Sequence, residues 1–230
     1  TTEIYTLSLH DALPISPAIS ATPTYSSLQF RVIKTIFITA LLFCMTLVYT
    51  YAKAGLMEEV ILVDEHDRPV GTMEKLLAHQ QGKLHRAFSI LVFNSKGDLM
   101  LQQRAPDKYH SGGLWTNTCC SHPRPGENVI EAGKRKLIQE MGIDCDLTYS
   151  HTFIYKAELD NNLTEHELDH VLIGYYDDEP ILNKEEVSNW KFAELKTIQD
   201  DVVQNPNQYT QWFKIILFQP ELTRLNAKRV

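Results

Sequence analysis

The sequence is short of positive charge. Its 230 residues carry 22 Lys and Arg against 29 Asp and Glu, a net charge of -7. That argues against a nucleic-acid surface, because such proteins present basic patches to phosphates. Any basic cluster in so acidic a chain calls for a smaller anionic partner. Cysteine is scarce as well: only Cys44, Cys119, Cys120 and Cys145 are present, and two of them are adjacent. Neighbouring cysteines are poorly placed to bridge each other or to build a disulfide framework, so the folded part reads as reduced and cytoplasmic. Long apolar runs are missing apart from Thr35 to Tyr51, which is short for a membrane span. No repeat or low-complexity tract interrupts Met57 to Val230, a length suited to one domain with its own core.

What precedes Met57 has a different character. Residues 1 to 30 are rich in Ser, Thr, Pro and Ala without a sustained period and cannot contribute a core. Thr1 to Ser16 resembles translated sequencing-adapter DNA. Arg31 and Lys34, the apolar run, and Ala52-Lys53-Ala54 then follow in the order of a secretory signal. Three readings compete: a signal, a membrane anchor, or upstream DNA translated from a wrong start with Met57 the true first residue. The third is preferred, making residues 1–56 an extension outside the fold and 57–230 the domain.

From Glu59 the signals become orderly. Val60 to Val63 reads as a buried strand closed by a turn at Asp64 to Pro69, and Thr72 is placed to cap a helix from Met73 to His79. His85 to Asn94 and Leu99 to Arg104 form a hairpin around Asn94-Ser95-Lys96-Gly97. A helix from Asn128 to Met141 carries Ile130, Leu137, Ile138 and Met141 on its apolar stripe, with Asn128 and Glu131 as a capping box and Gly142 as the C-terminal stop. His151 to Leu159 and Glu165 to Tyr176 read as antiparallel strands, and Phe192 to Val202 and Tyr209 to Phe218 as helices. Strands and helices mixed in this order give an α/β or α+β sandwich.

The centre of the chain is Trp115 to Pro123. In an extended segment Cys120 and His122 share a face and Cys119 points the other way, so Cys120 is the sulfur available for chemistry. The plainer account makes both cysteines small buried hydrophobes. Strand periodicity likewise sends Glu165, Glu167 and Asp169 to one face, and three acids on one face want a cation. His79, His85, His122, Glu165 and Glu167 are the candidate ligands. They are dispersed along the chain, and each lone histidine is more often a hydrogen-bonded residue than a ligand. If they converge, such a donor set suits Mn²⁺, Zn²⁺ or Fe²⁺. Lys75, Arg104 and Lys108 form a basic group able to hold a phosphate, with a solvated loop face as the alternative. Glu140 is a possible Mg²⁺ ligand.

Gly71 to Lys75, the His79 and His85 pair, Trp115 to Pro123, and Thr164-Glu165-His166-Glu167-Leu168-Asp169-His170 together closely resemble type I isopentenyl-diphosphate isomerases, members of the Nudix superfamily. The resemblance runs from about Met57 to the final helices. It implies a single-domain α/β fold, the Nudix-type α/β/α sandwich with a mixed sheet. It implies that His79, His85, His122, Glu165 and Glu167 hold one divalent metal, Mn²⁺ or Zn²⁺, while Glu140 helps bind Mg²⁺ on the diphosphate. Lys75, Arg104 and Lys108 would contact that diphosphate, Cys120 and Glu167 would exchange protons with the substrate, Tyr155 would assist Glu167, and Trp212 would face the hydrocarbon. The substrate implied is isopentenyl diphosphate, with no nucleic acid and no stable membrane partner, in the cytoplasm; oligomeric state is left open. A pocket for such chemistry needs a lid, and the C-terminal helix is the candidate. One departure stands out. A hydrolytic Nudix helix ends in Arg-Glu, an apolar residue and Glu-Glu, whereas this one reads Arg135-Lys136-Leu137-Ile138-Gln139-Glu140. With Lys136 and Gln139 in place of acids, diphosphate cleavage is disfavoured.

Overall fold

The computed structural model describes residues 58–222, together with residue 38. The expected signal or anchor, Arg31 to Ala54, lies outside the described residues save for that one position. Among the described residues no helix is long and apolar enough to cross a membrane.

Nine strands form one mixed sheet, and the strand that organises it is β3 (His85–Phe93). Along one edge it pairs in parallel with β8 (Thr164–Tyr175), from His85 opposite Glu167 to Phe93 opposite Tyr175. Three antiparallel partners also pair with it in turn: β1 (Glu59–Val63) at His85, β6 (Cys119–Ser121) at Phe88 to Ile90, and β4 (Leu99–Arg104) at Phe93. Strand β2 (Pro69–Glu74) extends the sheet beyond β1, β5 (Trp115–Thr116) and β9 (Val187–Ala193) pair with β4, and β7 (Thr148–Glu158) pairs with β8.

Helix α2 (Val129–Met141) covers one face of the sheet, burying Leu137 and Met141 against Phe88, Ile90, Val92 and Met100. Helices α3 (Leu195–Gln204) and α4 (Gln211–Leu217) cover the other, packing Ile198, Phe213 and Ile216 on Leu91, Phe93 and Leu101. Each such fully buried side chain contributes about 1.5–3 kcal/mol. This is the α/β/α sandwich with a mixed sheet that the resemblance implied. Helix α2 lies close to the sheet because Gly133 lets it: a Cβ there would stand 2.8 Å from Leu172 and 3.0 Å from Leu147.

Four expectations need correction. Thr72 and Met73 are not the start of a helix; they pair with Ile61 and Val60 in β2. Helix α1 (Lys75–Gln81) begins after them because the Glu74 carboxylate accepts from Leu76 N and Leu77 N. Phe192 lies in strand β9, opposite Met100, and α3 starts only at Leu195. The buried stripe of α2 includes Lys136 and Glu140, while Ile138 is 48% exposed; the helix is rotated to turn an ion pair, rather than an isoleucine, inward. The Asn128 side chain caps this helix through Ile130 N, without the expected partnership with Glu131.

Candidate active site

The period of the strands builds the site. His85, Ala87 and Ser89 project from one face of β3, so their register partners do too: Glu167 and Asp169 on β8, and Cys120 on β6 opposite Ser89. Cys119 points to the α2 face, where it is fully buried, and Cys120 to the α4 face, as the spacing predicted. His122 follows on the Cys120 side, and His79 arrives from α1. The sequence His166-Glu167-Leu168-Asp169-His170 matches the helical zinc motif H-E-x-x-H, but in a strand both histidines fall on the face opposite Glu167, and neither joins the site.

His79, His85, His122 and Glu167 offer ligand atoms that all lie within 4.8 Å of one another, and all four residues are buried. Glu167 Oε1 is 3.0 Å from His122 Nε2, 3.5 Å from His85 Nε2 and 3.9 Å from His79 Nε2, and the first two nitrogens are themselves 3.1 Å apart. His79 and His85 each donate Nδ1–H to a main-chain carbonyl, of Lys75 and Lys83, both at 2.7 Å. Those bonds fix the tautomer and leave bare Nε2 lone pairs converging beside a carboxylate. Lone pairs so arranged repel unless a cation lies among them, so the donor set fits a divalent metal. Burial also depresses the His79 and His122 pKa values, the latter to about 3 against the pull of Glu167, keeping the rings neutral as ligands must be. Glu165, the fifth expected ligand, is not one of this close group. Its Oε2 is 3.0 Å from the Tyr155 hydroxyl, which is also 2.7 Å from Glu167 Oε2. Burial and the charge of Glu167 push Glu165 well above the carboxylate range, whereas Glu167, in spite of its own burial, is held well below it by the imidazoles packed against it, His122 foremost.

A cavity of about 290 Å³ opens onto this group. Cys120, Tyr155, Glu165 and Trp212 line it, as do Lys75, Arg104, Lys108 and Glu140. Every site residue proposed from the sequence therefore lines the cavity except His85, which has no exposed surface and sits within the metal group. The Cys120 thiol is pushed up by burial and by the carboxylates of Glu140, Glu165 and Glu167, with Arg104 opposing them. Trp212 is 2% exposed; Arg104 stands over its ring with Cζ 5.2 Å from the centroid, and His110 meets its edge. Helix α4 carries this indole on a side buried in the core with Phe213, Ile216 and Leu217, so it forms a wall of the cavity.

Lys136, Glu58 and Glu186 also line the cavity and were missed. Lys136 pairs with Glu140 at 2.9 Å, Lys75 with Glu58 at 2.8 Å, and Lys108 with Glu186. A lysine four residues before Glu140 was a usable signal. Glu58 and Glu186 lie just outside strands, where spacing says nothing.

A NUDIX domain model matches residues 83–213. The chain is 51% identical to the isopentenyl-diphosphate Delta-isomerase of Pectobacterium atrosepticum over 159 residues, 69% of this chain and 89% of that one. The chain belongs to the Nudix isopentenyl-diphosphate isomerases. A second relative in this isomerase family, isopentenyl-diphosphate Delta-isomerase 2 of Photorhabdus laumondii, is 53% identical over 162 residues, 70% of this chain and 92% of that one. Among solved structures, DR0079 from Deinococcus radiodurans superposes with a TM-score of 0.58 at 17% identity, covering 70% of this chain and 97% of that one. At that identity the likeness concerns the fold, and it agrees with the isomerase-family sandwich described above.

Proposed function

We propose that this chain interconverts isopentenyl diphosphate and dimethylallyl diphosphate by adding a proton at one carbon and removing one from another. The observation that carries the mechanism is the placement of Cys120 on β6 and Glu167 on β8, two strands that both pair with β3 and turn both groups toward the same cavity. An unactivated alkene is a very weak base, so its proton donor must be held in contact with the reacting carbon. In the protonation state favoured by their surroundings, the Cys120 thiol is the donor and the Glu167 carboxylate the acceptor. The opposite direction starts from the opposite state, and the Glu165 and Tyr155 contacts give a proton a route to Glu167.

His79, His85, His122 and Glu167 would hold a divalent ion, Mn²⁺ or Zn²⁺, whose positive charge would orient Glu167 and lower its proton affinity. Glu165 flanks that set through its contact with Tyr155. Lys75, Arg104 and Lys108 bind the diphosphate, joined by Lys136, and Glu140 is the carboxylate for the Mg²⁺ that accompanies it. Between the two proton transfers the hydrocarbon carries a tertiary cationic centre. Trp212, which lines the cavity, is the residue whose indole stabilises it, worth ~1–2 kcal/mol when desolvated. The same reading places the reaction in the cytoplasm, where thiols stay reduced and Cys120 keeps its proton, and assigns residues 57–230 as the sufficient domain.

The test is to incubate the purified chain, stripped of metal and resupplied with Mn²⁺ or Zn²⁺ plus Mg²⁺, with isopentenyl diphosphate while following dimethylallyl diphosphate and released phosphate together. Isomer without phosphate is the expected result. Phosphate without isomer would make the chain a hydrolase and overturn the reading of Lys136 and Gln139.

A further inference from the structure

The cations of the cavity are mostly engaged already. Lys75, Lys108 and Lys136 each hold a carboxylate, those of Glu58, Glu186 and Glu140. Among the described residues Arg104 is the cavity cation without an ion pair; its Nε is buried and lacks a partner. The three glutamates are not equivalent. Glu140 lies one turn from Lys136 on the same helix, and Glu58 and Glu186 each immediately precede a strand, β1 and β9; of the three it is Glu186 that holds Lys108, the lysine of the loop beside the site. The Glu186 side chain is only 23% exposed. Burial acts to raise its pKa, yet it is held below the usual range by the hydrogen bond and charge of Lys108 and by the charges of Lys136 and Lys75. A carboxylate among three lysines occupies the kind of place that phosphate oxygens would take.

Resting on the diphosphate reading above, we propose that Glu186 is the resident counterion of the anion pocket, holding Lys108 in the free protein and yielding it to the diphosphate on binding. Once displaced, the Glu186 carboxylate faces the incoming anion. Like charges at close range oppose binding unless a cation lies between them. A diphosphate that carries its divalent ion supplies that cation, and a bare phosphate or diphosphate does not. Glu186 thus makes the pocket selective for the metal complex of a diphosphate over free anions. A purely structural role is separable from this one. The loop that carries Lys108 is tied to the same segment by the main-chain bond from Ala105 N to Glu186 O at 2.9 Å, which a change of side chain leaves intact.

The experiment is calorimetric titration of the full chain, Zn²⁺-loaded at the His/Glu site, with inorganic pyrophosphate in the absence and presence of excess Mg²⁺. In Glu186→Gln, metal-free pyrophosphate is expected to bind about tenfold tighter, while the Mg²⁺ complex changes less than about threefold, so the preference for the complex shrinks. Glu186→Asp, which keeps the charge, should retain the parent preference. Equal shifts for both ligands, no shift, weaker binding of the metal-free ligand in Glu186→Gln, or a parent chain that binds neither form would each overturn the proposal. Pyrophosphate has no double bond to move, so failure of the isomerase reading is detected separately, as absence of dimethylallyl diphosphate from a chain that still shows this selectivity.

Discussion

The Tyr155 hydroxyl oxygen lies 2.7 Å from Oε2 of Glu167. It is also 3.0 Å from Oε2 of Glu165, yet a phenol has one proton to give. Glu167, held anionic by His122 and His85, is the better acceptor. Glu165, pushed up by burial and by Glu167, is the weaker acceptor of the two. Tyr155 thus bridges the two carboxylates, with Glu167 the one whose other oxygen turns to the histidines.

Tyr155→Phe breaks that bridge while keeping the ring packed. Turnover is expected to fall about 10²-fold, within the range of lost acid–base assistance, with the KM for isopentenyl diphosphate little changed. An equal loss in KM, or a collapse of the melting transition, would show that the hydroxyl is structural.

The two cysteines separate chemistry from packing. Cys120→Ala removes the thiol that faces the cavity, and turnover is expected to drop by about 10³ or more. Cys119→Ala acts on the opposite face of the same strand, where its sulfur lies 3.5 Å from Glu140 Oε2, and is expected to cost only about 1 kcal/mol of stability with most activity kept. Near-normal turnover in Cys120→Ala would sink the proton-transfer scheme.

Much of this was legible because strands obey a period of two. That rule separated Cys119 from Cys120 and put Glu165, Glu167 and Asp169 on one side without any knowledge of their partners. Pairing was not legible: nothing local says that β3 takes β8 on one edge and β6 elsewhere along its length, and it is this pairing that carries Cys120 and Glu167 to one cavity. The errors have the same origin. Thr72 has a good capping side chain, but pairing with Ile61 outweighs a cap worth about 1 kcal/mol. Val187 to Ala193 has no clean alternation, and only β4 beside it makes it a strand. Glu58 and Glu186 became visible only through the lysines they hold.

Metal removal should register in stability as well as activity, because a ligand that binds only the folded state stabilises it by mass action. The chelated chain is expected to melt at lower temperature and to recover when Mn²⁺ or Zn²⁺ is restored. His122→Ala should lose that response and bind metal at least about tenfold more weakly, measured by equilibrium dialysis. A melting temperature indifferent to both ions in the parent chain would exclude a metal at this cluster.

Asp169 gives a prediction whose sign can be worked out. It is 1% exposed, and its pKa is raised from 3.8 to about 8 by burial and by the charge of Glu167, against the smaller opposing effect of a hydrogen bond from Ser89. Between pH 3.8 and about 8 the folded chain therefore binds more protons here than the unfolded chain does. Stability contributed by this position is intact at the acid end of that window and is lost progressively as pH rises through it, reaching a cost of several kcal/mol. Asp169→Asn cannot ionise, so in metal-free protein its melting temperature is expected to match the parent near the acid end and to exceed it by ~5 °C or more on the alkaline side. Parallel curves of melting temperature against pH would refute this. Loading Zn²⁺ should shrink the difference between the two chains, because a cation beside Glu167 cancels the second of the two causes that raise Asp169.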